Sequence, residues 1–165
     1  MNKNSDAITE LFRNKFAAYR QRTLEGGEEY AFESMLEGYP ERQKSRMGRF
    51  IDNASLAEGF AKAIPTFKRM GMNMEVIDIS TPGKDAALEI QRTCPVLALC
   101  LEYGLPRPCH VICEMDVEAT RRAFPDMKGD ILCTQADGAS VCVFKYERPS
   151  SSSAKNGQTL DSVGG

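Results

Sequence analysis

Apolar residues recur at three- and four-residue steps through the first seventy positions, and the step changes to two further on. Ile8, Leu11, Phe12, Phe16 and Tyr19 fall on one stripe of a helix that Asn4 or Ser5 can cap and that Gly26-Gly27 ends. Tyr30, Phe32, Met35 and Leu36 give a second, short helical run from Glu28, broken at Gly38-Tyr39-Pro40, and Pro40 can open a third helix. Ser55-Leu-Ala-Glu58 has capping-box spacing, in which the serine oxygen accepts from the backbone near Glu58 and the glutamate reaches back. Leu56, Phe60, Ile64 and Phe67 follow on one face, and Pro65, lacking a helical donor, predicts a kink or an early stop near Ile64.

Beyond Met70 the pattern becomes β-like. Met74 to Ile79 and Ala86 to Thr93, joined by Thr81-Pro-Gly-Lys84, predict a hairpin. Pro95 suits the first turn of a short helix, Val96 to Tyr103, ended by Gly104. After the stiff connector Leu105-Pro-Arg-Pro108, a further helix runs to Phe124 and stops at Pro125. Ile131 to Tyr146 reads as a hairpin around Asp137-Gly138. The pattern therefore predicts one α+β domain over residues 1–148: a helical part (1–71) packed on an antiparallel sheet of two hairpins, with two later helices between them in the 72–148 part. The polar, aperiodic stretch 149–165 predicts a disordered tail.

Composition narrows the function by exclusion. A chain of 165 residues holds one core comfortably. With 21 basic and 23 acidic residues, nothing favours nucleic acid or an anionic membrane, so the expected partner is a small molecule. The start of the chain reads as an amphipathic helix and not as a secretory signal or membrane span, and a cytoplasmic setting is expected. There the six cysteines, all between positions 94 and 142, stay reduced.

Those cysteines carry the candidate chemistry. Cys109, Cys113, Asp116 and Thr120 follow at i, i+4, i+7 and i+11, one face of a regular helix, leaving Val111, Ile112, Met115 and Ala119 to face the core. A two-residue Asp137-Gly138 loop would set Cys133 opposite Cys142 with Cα atoms about 4.5 Å apart. Cys100 and Cys109 read as small buried hydrophobes. His110, three residues before Cys113, can form a Cys-His dyad but reads as a helix-surface residue. Arg107 and Arg121-Arg122 can bind a carboxylate or serve as solvated charges. Arg42, Arg46 and Arg49 mark a solvated face.

Cys94-Pro95 ending a strand, Cys113-x-x-Asp116 on a helix, and Thr134-x-x-x-Gly138-x-x-x-Cys142-x-Phe144 together resemble the L-2-amino-thiazoline-4-carboxylic acid hydrolase family over positions 72 to 147. The resemblance implies hydrolytic opening of a 2-aminothiazoline ring through a carbamoyl-cysteine, without a cofactor. Cys113 is then the preferred nucleophile, Asp116 orients the cationic amidine or moves a proton, Cys94 and Cys142 are the alternative thiols, and Thr134 and Arg107 stand as substrate-binding residues. Asp116 by itself raises a neighbouring thiol's pKa, so the activation must come from elsewhere. The late cysteine pattern also looks, more loosely, like the vinyl-reductase-type small-molecule-binding domain. On that reading Cys94, Cys113, Cys142 and Asp116 are zinc ligands in a module without catalysis, although no Cys-x-x-Cys knuckle is present.

Overall fold

A computed structural model describes residues 3–104 and 109–150. Helix α1 (Lys3–Leu36) is broken at Gly27, whose φ of 87° and ψ of 176° are open to glycine and unfavourable to other residues, so helix lies on both sides of the Gly26-Gly27 break. Gly38, left-handed at φ 66°, turns the chain into α2 (Tyr39–Ile51), with Pro40 in its first turn. Helix α3 (Leu56–Arg69) starts at Ser55, whose Oγ accepts from the Glu58 amide at 3.1 Å. Only that half of the capping box forms, because the Glu58 carboxylate takes the Lys62 ammonium at 2.7 Å instead of reaching back. The early stop at Pro65 does not occur. Pro65 and Ala61, the residue whose carbonyl it leaves without a donor, are both exposed, so water satisfies the gap and the helix runs on to Arg69.

Strands β1 (Asn73–Asp78) and β2 (Lys84–Thr93) form the expected hairpin, closed by mutual backbone bonds between Thr81 and Lys84. Helix α4 (Leu97–Tyr103) ends at left-handed Gly104. A single π turn over His110–Glu114 leads into α5 (Met115–Ala123), and β3 (Lys128–Cys133) and β4 (Cys142–Pro149) complete one antiparallel sheet in the order β1-β2-β4-β3. The fold is thus α+β, with the two hairpins joined through β2 and β4. No described helix is long and apolar enough to cross a membrane.

Two features differ from the sequence expectation. The β3–β4 connection is not a two-residue turn: Thr134 caps a 3-10 turn over Gln135–Asp137, and Gly138 at φ 91° reverses the chain. A bulge between Ile131 and Cys133 then sets Cys133 opposite Val143, so Cys133 and Cys142 are not a cross-strand pair. Strand β4 also extends to Pro149, opposite Lys84, one residue into the stretch expected to be a tail. Beyond Ser150 that tail lies outside the described residues.

The core has two parts. Phe60 and Leu56 from α3, Ile51 from α2 and Val117 from α5 pack on the inner sheet face with Ala87, Cys142, Phe144 and Tyr146. Phe12, Phe16 and Tyr19 of α1 pack with Val96, Leu99 and the buried side of the π turn and α5: Val111, Ile112, Met115 and Ala119, the four residues expected there. Cys113 packs against both. Buried thiol and apolar side chains at this seam place a polarisable group where helices and sheet meet.

Candidate active site

The π turn decides where the cysteine stripe points. A π turn adds residues per turn, so the face that would carry Cys109, Cys113, Asp116 and Thr120 in a regular helix divides in two. Cys109 and Cys113 hydrogen-bond to each other on the sheet side. Asp116 and Thr120 turn to α2, where Tyr39 and Gln43 stand four residues apart to meet them: the Tyr39 hydroxyl donates to Asp116 Oδ1 at 2.7 Å, and Gln43 Nε2 donates to Thr120 Oγ1 at 3.0 Å.

On the sheet side four thiols come from three separate stretches. Cys94 stands between the end of β2 and α4, Cys109 and Cys113 bracket the π turn, and Cys142 opens β4 on the inner face. Each feels charge on its neighbours: Cys113 feels Cys109, Cys94 and Cys142, and Cys142 feels Cys94, Cys109 and Cys133. Their environments are unequal. Burial pushes the Cys94 and Cys142 thiols up, although the Val96 and Leu97 amides donate to the first and the Gln135 amide, at 3.3 Å, to the second. Cys113 is pushed well up, first by acting as donor to Cys109 and then by burial. Cys109 is drawn down to about 7, first by the Cys113 hydrogen bond and, after the opposing effect of burial, by the Thr134 hydroxyl. That hydroxyl proton has a second acceptor, Asp137 Oδ2 at 2.6 Å, so Cys113 is the principal donor. Asp137 and Glu114 oppose the shift.

Cys109, Cys133 and Thr134 line a cleft of about 710 Å³, with Asp137 and Glu114 on its wall. The two arginines of that wall are engaged. Arg122 forms a bidentate pair with Glu33 at 2.7 and 2.9 Å and a bond to Glu118 at 2.9 Å, while Arg121 holds the Gly129 carbonyl. Arg107 lies outside the described residues, as does the side chain of Cys100. His110, expected on the helix surface, is instead largely covered: it stacks on Phe32 of α1 at 4.2 Å and its Nδ1 meets Glu114 Oε2 at 2.7 Å.

Behind Cys113 lies a second polar group. Lys15 sits 4.8 Å over the Tyr39 ring, and burial brings its pKa down to about 8 against the pull of Asp116 and Cys113. Arg42 and Arg46, expected as solvated charges, are exposed but stand 5.4 and 5.8 Å over the same ring. Glu89 is buried at the centre of the inner sheet face, with Oε1 lacking a hydrogen-bond partner, and burial followed by the charge of Asp116 raises its pKa to about 8. Tyr146, whose phenol is pushed up by burial, feels Glu89, Asp116 and Cys113 together.

Of the residues expected from sequence, Thr134 lines the cleft, Cys94, Cys113 and Cys142 do not, and Asp116 meets Tyr39 on the α2 side. Among the described residues no three His, Cys, Asp or Glu side chains stand together as ligands for a metal ion, so the zinc arrangement of Cys94, Cys113, Cys142 and Asp116 is not formed. Sequence reading passed over Lys15, Tyr39 and Glu89 and set Cys109 aside as core. A signal for Glu89 was its alternation with Ala87 and Gln91, and Cys109 already shared the stripe with Cys113.

Residues 5–146 match the family model described as L-2-amino-thiazoline-4-carboxylic acid hydrolase. No curated protein matches the chain.

Proposed function

Because the chain belongs to the L-2-amino-thiazoline-4-carboxylic acid hydrolase family, we propose that it is a cysteine-dependent hydrolase of a small cyclic amidine, such as 2-aminothiazoline-4-carboxylate, or of a related C–N or C–S bond. The observation that carries this reading is a cleft lined by Cys109, Cys133 and Thr134, with Cys109 coupled to the Cys113 thiol and drawn toward its thiolate. A thiolate is the species that adds to the electrophilic carbon between nitrogen and sulfur, and it requires a donor to hold it ionised at neutral pH.

In this reading Cys113, Cys94 and Cys142 form the thiol cluster, and Asp116 supports it electrostatically from the Tyr39 and Lys15 side. Thr134 contacts the substrate from the cleft, and Arg107, two residues before Cys109 in the sequence, is the group assigned to the substrate carboxylate. Asp137, which lines the cleft with Cys109, suits a cationic amidine head. A reducing, cytoplasmic setting belongs to the same reading, since the cluster works only with its thiols reduced.

The test is direct. Purified protein with 2-aminothiazoline-4-carboxylate, followed by chromatography and mass detection, is expected to yield the carbamoyl-cysteine product. Cys113→Ala and Asp116→Asn are each expected to cut turnover at least a hundredfold with the far-ultraviolet spectrum unchanged. Wild-type rates in both variants would remove the proposed roles.

A further inference from the structure

We propose that the attacking sulfur of this site is Cys109, which lines the cleft, and that Cys113, behind it and hydrogen-bonded to it, holds the proton during the reaction. The substrate chemistry rests on the reading above, whereas the assignment of the thiolate does not.

Three observations together favour Cys109. It lines the cleft beside Thr134 and Cys133, where a small molecule can reach it. It accepts from the Cys113 thiol and has the Thr134 hydroxyl within hydrogen-bond reach. It is half-buried, as Cys94, Cys113 and Cys133 are, so its thiolate retains solvent contact, whereas Cys142 is buried. The charged groups facing Cys109 are Asp137 and Glu114, and both oppose a thiolate.

The steps then balance. The Cys109 thiolate adds to the amidine carbon and forms a C–S bond. The ring C–S bond breaks with its electron pair on the leaving sulfur, which takes the proton held by Cys113. Water next adds to the same carbon, the bond to Cys109 breaks, and the electron pair returns to Cys109 as the carbonyl forms. One water proton restores Cys113 and the other leaves to solvent, which accounts for the charge that the amidinium brought in.

Iodoacetamide labelling of the reduced full-length protein, mapped by peptide mass spectrometry across pH, tests the assignment without substrate. Cys109 is expected to be modified first, with a midpoint below that of an ordinary thiol. Cys113→Ala is expected to slow its labelling at pH 7 by roughly fivefold to tenfold, the loss of thiolate being partly offset by greater intrinsic nucleophilicity. Thr134→Val gives a smaller decrease and serves if Cys113→Ala does not fold. First labelling at Cys94, Cys113, Cys133 or Cys142 overturns the assignment. An unchanged Cys109 rate in a folded Cys113→Ala overturns the donor role. A parallel arm uses 2-chloroacetamidine, an electrophile carrying the amidine cation, and is expected to favour Cys109 over the remaining thiols more strongly than iodoacetamide does. Fast iodoacetamide labelling of Cys109 without this preference upholds the thiolate and removes the amidine substrate class.

Discussion

Glu89 is the residue whose cost to the fold is most exposed to measurement. Its carboxyl lies at the middle of the inner sheet face, opposite Val76 on one side and Phe144 on the other, with Oε1 unpartnered. A buried carboxylate there has no counter-charge, so the folded protein keeps the proton up to about pH 8, whereas the unfolded chain releases it near 4.5. Between those values the native state binds more protons than the unfolded state, and stability falls as pH rises, by up to about 4 kcal/mol. Glu89→Gln keeps the shape and removes the titration. Urea unfolding at pH 5, 6.5 and 8 is therefore expected to show wild-type stability declining and the variant's staying flatter, with the variant the more stable at pH 8; parallel curves would discard this account. Lys15 acts in the opposite sense and at higher pH, since its folded value near 8 lies below the ordinary 10.5 and its contribution rises only above pH 8. Little of this was legible in the sequence. Ala86, Leu88 and Ile90 alternate as an apolar face should, yet Asp85, Ala87, Glu89 and Gln91 are all buried, while of the alternating three only Ala86 is buried and Leu88 and Ile90 are half-buried. Hydrophobic alternation identifies a strand, but it does not say which face the helices will cover.

At the level of elements, local chemistry was read well wherever a single residue dominates the backbone. Gly38, Ser55 and Gly104 turn, cap and end their helices where the sequence places them, because a left-handed φ or a side-chain acceptor is a property of one residue. The π turn and the β3 bulge were missed for the complementary reason. Each inserts one residue into a regular repeat, and nothing in the residue types of His110–Glu114 or Ile131–Cys133 marks the insertion. The consequence for the site is direct: the stripe of Cys109, Cys113, Asp116 and Thr120 was recognised, but its division between sheet and α2 was not. The contact between α2 and α3 offers a test at this scale. A Cβ on Gly59 would lie 1.8 Å from the Phe50 carbonyl oxygen, a backbone atom that cannot rotate away. Gly59→Ala should force the helices apart, with a loss of about 3 kcal/mol and a melting point lower by roughly 10 °C. A shift under 2 °C would mean that the crossing yields without strain.

For the whole molecule, the question is what keeps the sheet in register with the helices that carry the other half of the site. Cys142 comes from the sheet, Cys94 from the connection between β2 and α4, Lys15 and Tyr39 from α1 and α2, and Cys113 from the π turn, so no local pattern in the chain brings the groups together. The distances are set where sheet and helices are tied, and one tie is polar. Arg148, near the end of β4, donates to Asp85 Oδ2 at 2.8 Å and to the Ile51 and Asn53 carbonyls at 2.6 and 2.9 Å, while Asp85 also accepts from the Leu56 amide at 3.0 and 3.1 Å. One guanidinium thus closes the end of α2, the α3 start and two strands into a single network, with the Asp85 side chain almost wholly removed from water. Removing the cation strands a buried carboxylate and two carbonyls, whereas amidating the acid leaves an oxygen that still accepts from Leu56 and Arg148. Arg148→Met is therefore expected to destabilise by about 3 kcal/mol and Asp85→Asn by distinctly less. Equilibrium urea unfolding at pH 7 compares them, and an equal loss in the two variants would place the stabilisation in the charge pair alone and not in the four-way junction.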